Sequence, residues 1–281
     1  MQEYYFLFGL GLIWSILAVV QDFKMREVAN WLNFSLIAFG LAYRSFYAFG
    51  IGDRMFLISG LAGFGVFFLL AHLFYYGRVF AGGDAKLLMG FSVILPYRDF
   101  FEFLYVGAIF VFVLFFVGSI WSLLYSIFIV MRNLEKFKRE FKKVFMESRG
   151  LFLIFLVVMV LILLVLDFVL WIIFICFLVL IVLLYFYVKA LDVCMLVRKD
   201  VRDLQEGDWL EQDVKIGKKV IKKSVHGLSK DEIRFLRKYG KKVLIKDGIP
   251  FTIAFLLAFV VIGYLLLVFG DLSFSFFEKI I

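Results

Sequence analysis

The sequence predicts an all-α polytopic membrane protein of about eight spans, with a short fourth helix and a small α+β cytoplasmic domain. Three observations carry that reading. Hydrophobic residues make up 64% of the 281, well above the roughly 45–50% of soluble domains. They lie in runs long enough to cross a bilayer, and the polar residues gather in one long stretch, 189–248.

A span takes ~20 apolar residues. The runs at 4–21, 31–50 and 55–76 fit that length, the run at 84–97 falls short of it, and the run at 100–131 exceeds it. The first run lacks a basic stretch before it and a small-residue cleavage site after it, so it reads as a retained span. Residues 132–150, RNLEKFKREFKKVFMESRG, set Leu134, Phe137, Phe141, Val144 and Phe145 at helical spacing among basic residues. That pattern predicts a basic amphipathic helix lying on the membrane surface against lipid. Residues 151–188 are apolar apart from Asp167. A single helix there would be about 57 Å long, nearly twice a ~30 Å hydrocarbon core, so an extra transmembrane hairpin turning near Asp167 is expected.

Within 189–248, WLEQDVKIGKKVIKKS predicts strands divided by a turn at 216–218. Ser229 and Glu232 have capping-box spacing at the head of a helix closed by Gly240, and KKVLIKDG predicts another strand. The last span starts near Ile249, with Pro250 in its first turn. The expected organisation is a membrane bundle at 1–131, read below as catalytic, then the basic surface helix at 132–150 and the hairpin at 151–188. The cytoplasmic domain follows at 189–248, and the final helix and tail at 249–281.

The formal charge is +8. In a membrane protein, clustered Lys and Arg point to cytoplasmic loops and anionic lipid, not to nucleic acid. An N-terminus outside puts Lys24, Arg26, Arg78, the basic helix and the polar domain inside, leaving little beyond Arg54 and Arg98 outside. Cys176 and Cys194 are too few and too isolated for a disulfide framework or a zinc site, so no metal or cofactor is expected.

This topology delivers Asp22, at the inner end of the first span, and Asp84, at the inner start of the fourth, to one membrane level. Two close carboxylates hold a single proton between them near neutral pH, so one acts as base and the other as acid. Such a pair can activate water against a peptide carbonyl without metal, serine or cysteine. Gly82 and Gly83, lacking Cβ atoms, would let the chain turn sharply into the fourth helix and let a substrate strand approach. Two other readings use the same residues. Asp84 can be a helix N-cap with Asp22 paired to Lys24 or Arg26, or the two can form the cation site of a transporter with a discontinuous helix.

The remaining polar residues have simpler explanations. His72 reads as a packed or interfacial residue of the third span, and His226 as part of a solvated turn. Asp53, Asp99, Asp167 and Asp271 fall at outer turns within reach of water, Arg54 or Arg98. Arg44, toward the outer end of its span, is expected to snorkel. Trp31, Tyr75 and Tyr76 fit an interfacial aromatic belt.

AGGDAKLL, from Ala81, resembles the GxGD motif of intramembrane aspartyl proteases, and DFKMREVANWLN, from Asp22, resembles the first-aspartate segment of archaeal preflagellin and type IV prepilin peptidases. The polar domain followed by DGIPFTIAFLLAF is similar to the C-terminal part of the archaeal members. The resemblance implies an aspartyl endopeptidase that cleaves the N-terminal signal of preflagellins or prepilin-like precursors at the cytoplasmic face of the cell membrane. Asp22 and Asp84 match the catalytic positions, and Gly82, Gly83, Lys24, Arg26, Asn30 and Lys86 fall on motif positions. The sequence departs from the family at Ala81, where Gly is usual, at Ala29, where many relatives have Pro, and in the additional basic helix and hairpin. It has no paired Cys-x-x-Cys motifs, so the methyltransferase activity of bacterial bifunctional relatives is not expected.

Overall fold

A computed structural model describes residues 2–163, 168–216, 219–224, 227–238, 240 and 242–269. In chain order the helices begin with α1 (Gln2–Met25), α2 (Asn30–Ile51), α3 (Arg54–Tyr76), α4 (Gly82–Ile94), α5 (Phe100–Arg132), α6 (Leu134–Glu147), α7 (Arg149–Leu163) and α8 (Phe168–Cys194). They continue with β1 (Leu196–Lys199), β2 (Trp209–Leu210), β3 (Val214–Ile216), β4 (Lys219–Ile221), α9 (Lys230–Arg237), β5 (Val243–Lys246) and α10 (Thr252–Phe269). Among the described residues, five helices are long and apolar enough to cross a bilayer: Tyr4–Met25, Asn30–Ile51, Arg54–Tyr76, Phe100–Arg132 and Leu170–Cys194. The chain is a multi-pass membrane protein. It divides into two compact units, one of Met1–Leu123 with Pro250–Ile281, the other of Leu124–Ile249.

The first unit is built around α4. At 13 residues it is about 20 Å long, too short to cross a hydrocarbon core. Its stop is written in the sequence, because the residue before a proline avoids helical backbone. Leu95, ahead of Pro96, is extended at φ −59°, ψ 146°. A helix that ends inside a membrane bundle leaves carbonyls that lipid cannot satisfy. The Phe91 carbonyl accepts from Leu95 N–H at 3.1 Å and the Ser92 carbonyl from Tyr97 Oη at 2.6 Å.

Arg44 of α2 completes the accounting. Its guanidinium donates to the carbonyls of Val93 (Nε, 2.7 Å), Leu95 (Nη2, 2.9 Å), Tyr97 (Nη1, 3.3 Å) and Phe56 (Nη1, 3.0 Å). It lies between the Phe56 and Tyr97 rings, 4.4 and 4.1 Å from their centroids, and its exposure is 0%. The expectation that Arg44 snorkels outward is thus overturned. A guanidinium with five donors finds four carbonyls and two aromatic faces nearby, and that environment outweighs the gain from reaching water.

The two helices can approach this closely because a Cβ added at Gly40 would lie 2.7 Å from Val93 and one added at Gly90 would lie 2.8 Å from Leu36. On its other sides α4 meets aromatics of α5 and α10, with Phe91 stacked on Phe110 at 5.2 Å and edge-on to Phe259 at 5.2 Å. α10 begins at Thr252, so Pro250 precedes the helix instead of sitting in its first turn. The Pro250 carbonyl accepts from Trp121 Nε1 at 2.8 Å.

The second unit holds a separate core of Val201, Leu204, Leu210, Leu228, Leu236 and Ile245. β5 lies between β1 and β2, antiparallel to both, and β3 pairs with β4. The strands expected around 209–221 and 243–246 are present, while β1 was not foreseen. The capping box forms, with Glu232 Oε2 accepting from Ser229 N–H at 2.9 Å and Glu232 N–H donating to Ser229 Oγ. Gly240 adopts a left-handed φ of 69°. The run at 151–188 is divided between α7 and α8, and the turn around Asp167 lies outside the described residues, as do His226, Asp271 and residues 217–218. α6 is helical as expected and touches α8, with Phe137 against Tyr187 at 5.6 Å and Phe145 against Phe186 at 5.6 Å, while none of its residues is fully buried.

Arg44→Met should lower unfolding stability in detergent by about 3 kcal/mol or more, because several buried carbonyls lose a charged donor. Arg44→Lys should not restore it, since an ammonium cannot reproduce the planar fork. Thermal unfolding of the three proteins measures both effects.

Candidate active site

Asp22 and Asp84 are presented by two helix ends. Asp22 lies in the last turn of α1, where Arg26 N–H closes the helix on the Asp22 carbonyl at 2.9 Å. Arg26 itself turns the chain away in a left-handed conformation, φ 54°. Asp22 is 8% exposed. Its Oδ2 accepts from Thr252 Oγ1 at 2.9 Å and from Thr252 N–H at 3.2 Å, both at the start of α10. The pairing with Lys24 or Arg26 that the sequence allowed is therefore not its hydrogen-bonding arrangement, although the Arg26 charge acts on it. Lys24 is exposed on the same turn.

Asp84 occupies the first turn of α4 and is half-buried. Its carboxylate reaches back to the backbone of Ala81, the residue that opens the helix in an extended conformation, φ −69°, ψ 163°. Asp84 lies near enough to Asp22 to feel its charge. The structure thus brings together two carboxylates that are far apart in the sequence.

The motif glycines do not make the turn that was expected of them. Gly82 and Gly83 are already helical, and neither has a left-handed φ; the strained position is Arg78, at φ 62°. An added Cβ would meet Tyr75 at 3.7 Å from Gly82 and Val28 at 3.5 Å from Gly83, ordinary contact distances. Backbone geometry therefore does not demand glycine at either position. Ala81 is likewise accommodated, because its extended backbone suits any residue.

Two other motif residues bond each other. Lys86 Nζ donates to Asn30 Oδ1 at 2.6 Å, tying the start of α2 to the start of α4. Gln21 Oε1 accepts from Ala29 N–H at 3.0 Å and closes the loop between α1 and α2, where relatives often use proline. Thr252 was missed in the sequence. The available signal was a hydroxyl residue two positions after Pro250, at the head of an otherwise apolar span. Among the described residues, no group of three His, Cys, Asp or Glu side chains could hold a metal ion. His72 Nδ1 lies 2.8 Å from the Phe68 carbonyl, and Asp53 pairs with Arg98 at 2.7 Å.

The comparisons bear on this same unit. Residues 9–130 match the type IV leader peptidase family. The matched stretch includes both Asp22 and Asp84. The chain is also similar to preflagellin peptidases of three methanogens. It is 34% identical over 89 residues to that of Methanocaldococcus jannaschii, 30% over 89 residues to that of Methanococcus voltae, and 30% over 87 residues to that of Methanococcus maripaludis. These alignments cover 31–32% of this chain and 37–38% of the relatives, so the chain spans less than half the length of the relatives it matches. All of the matches are to peptidases, and none supports the transporter reading.

The absence of close contacts at the two glycines gives a direct check on stability. Gly82→Ala and Gly83→Ala should each leave the unfolding free energy unchanged or raise it by up to about 1 kcal/mol, because alanine is the better helix former. The Lys86–Asn30 bond is partly exposed, so a double-mutant cycle with Lys86→Met and Asn30→Ala should give a coupling of about 0.5–1 kcal/mol.

Proposed function

We propose that the chain is an aspartyl endopeptidase that removes N-terminal signal peptides from preflagellins or other type IV prepilin-like precursors. The observation that carries this reading is the juxtaposition of Asp22 and Asp84 at two helix ends within the stretch that matches the leader peptidases. In this reading one carboxylate takes a proton from water as the water oxygen attacks the scissile carbonyl, and the other gives its proton to the carbonyl oxygen. The resulting diol collapses as the leaving amine is protonated. Burial of Asp22 and half-burial of Asp84 keep bulk water from competing for the bonds that orient the substrate.

The half-exposed N-terminal turn of α4 is where a substrate backbone would come against the dyad, and the missing side chains of Gly82 and Gly83 leave room for it. Lys24, Arg26, Asn30 and Lys86 lie at or beside the two helix ends that carry the aspartates and support them. Both aspartates are near helix ends flanked by basic residues, and the positive-inside rule favours the cytoplasmic face of the cell membrane for that edge, with the α+β domain in the cytoplasm. A precursor with a basic leader followed by an apolar helix suits a site at such an edge. The paired acids lie at span ends, unlike the midplane sites usual in transporters.

Purified full-length protein in detergent should cleave a preflagellin-type precursor without an ion gradient. Asp22→Asn and Asp84→Asn should each reduce cleavage by about 100-fold or more. Gly82→Ala and Gly83→Ala should reduce it while leaving the fold intact. Cleavage that survives either aspartate substitution would overturn the reading.

A further inference from the structure

The two aspartates are not equivalent in their surroundings, and the difference separates their roles. Resting on the endopeptidase reading above, we propose that Thr252 is a positioning residue that holds Asp22 as the carboxylate that deprotonates water, leaving Asp84 to carry the proton the pair shares.

The contact that sets Asp22 apart comes from α10. Thr252 is its first residue and is 1% exposed. A threonine there would ordinarily bond water or its own helix. Instead its hydroxyl and its backbone N–H both point at one oxygen, Asp22 Oδ2, at 2.9 and 3.2 Å. The backbone of Phe251 also faces the carboxylate, so Asp22 closes the N-terminus of a helix that begins 230 residues further along the chain. Donors that converge on one oxygen stabilise the anion and fix its orientation, directing the second oxygen, Oδ1, to a different partner. Arg26 adds a positive charge nearby.

Asp84 also sits at a helix N-terminus, its own, and reaches the Ala81 backbone. Among the described residues no side chain donates a hydrogen bond to it, and the charged group acting on it is Asp22. Of the two carboxylates, Asp22 is the better solvated by protein donors, and the proton belongs on Asp84.

The cycle balances with that assignment. Water loses a proton to Asp22 as its oxygen bonds to the scissile carbon, and Asp84 protonates the carbonyl oxygen. The neutral diol is then flanked by protonated Asp22 and ionised Asp84. Asp22 gives its proton to the departing nitrogen as the C–N bond breaks, and Asp84 recovers one from a diol hydroxyl. The products are an acid and an amine, and the dyad returns to its starting state. Thr252 exchanges no proton throughout.

The test compares wild type, Thr252→Val and Thr252→Ser as full-length proteins in detergent, cleaving a peptide that spans the precursor cleavage site. Thr252→Val should lower kcat by about 10- to 100-fold, the effect of losing one hydrogen bond to a charged group. KM should stay the same. The acidic limb of the pH–rate profile should move to higher pH, because the base has lost a donor that favours its charged form. Thr252→Ser, which keeps the hydroxyl, should restore both the rate and the profile. If Thr252→Val does not fold, Thr252→Ala takes its place with the same expectations. A wild-type kcat and limb in these variants would overturn the inference, as would a rate loss with the limb unmoved and no rescue by serine. Either result in an enzyme that still needs Asp22 and Asp84 leaves the endopeptidase reading standing. A wild-type protein that cleaves nothing would defeat that reading as well.

Discussion

The membrane unit depends on how a short helix is allowed to end where there is no water. α4 stops at Ile94 because Pro96 bars its continuation, and its last carbonyls must then be satisfied by protein. Arg44 does this from α2, reaching carbonyls of Val93, Leu95 and Tyr97 while its plane is enclosed by two aromatic rings. A buried cation would normally be costly. Here the negative end of a helix and a set of converging carbonyls replace the water it gives up. The same helix α2 reaches the other end of α4 through Asn30 and Lys86. One element therefore brackets α4 at both termini, and with it Asp84, whose height in the bundle is set by contacts far from its own side chain.

Asp22 is fixed by a complementary device. Its backbone belongs to α1, but its carboxylate is held by the first residue of α10, so the first and last helices meet at one oxygen. Helix termini carry unpaired donors and acceptors in any fold. In this unit the N-termini of α4 and α10 face the two aspartates and the C-terminus of α4 faces Arg44, so groups that would be a liability in lipid are used to place charged side chains.

Much of this was legible in the sequence. The spans, the short fourth helix, the strands around 214–221 and the capping box at Ser229 follow from local patterns of apolar length and turn chemistry. Asp22 and Asp84 could be named because a charged residue beside a long apolar run is conspicuous and because two spaced motifs agreed. What the sequence could not show were pairings across the chain. Arg44 looks like any arginine near a span end until the carbonyls around it are known, and Thr252 looks like an ordinary hydroxyl at the start of an apolar helix. The contact of α6 with α8 was hidden for the same reason, since an amphipathic face states that it needs a partner without naming one. The turn expected at Gly82 and Gly83 was displaced to Arg78 because the chain bends before the motif and α4 has already begun at Gly82.

The central claim is that the clamp on α4 brings Asp84 opposite Asp22. It is tested most directly by cross-linking in membranes, using Asp22→Cys combined with Asp84→Cys in a chain that also carries Cys176→Ala and Cys194→Ala. A short bifunctional thiol reagent should join α1 to α4 efficiently, and linked peptides should be recovered by mass spectrometry. The yield should fall when Arg44→Met is added, and Asp22→Cys should not link when paired instead with Arg98→Cys, beyond the other end of α4. If position 22 links no better to 84 than to 98, the two aspartates do not face each other and the account fails.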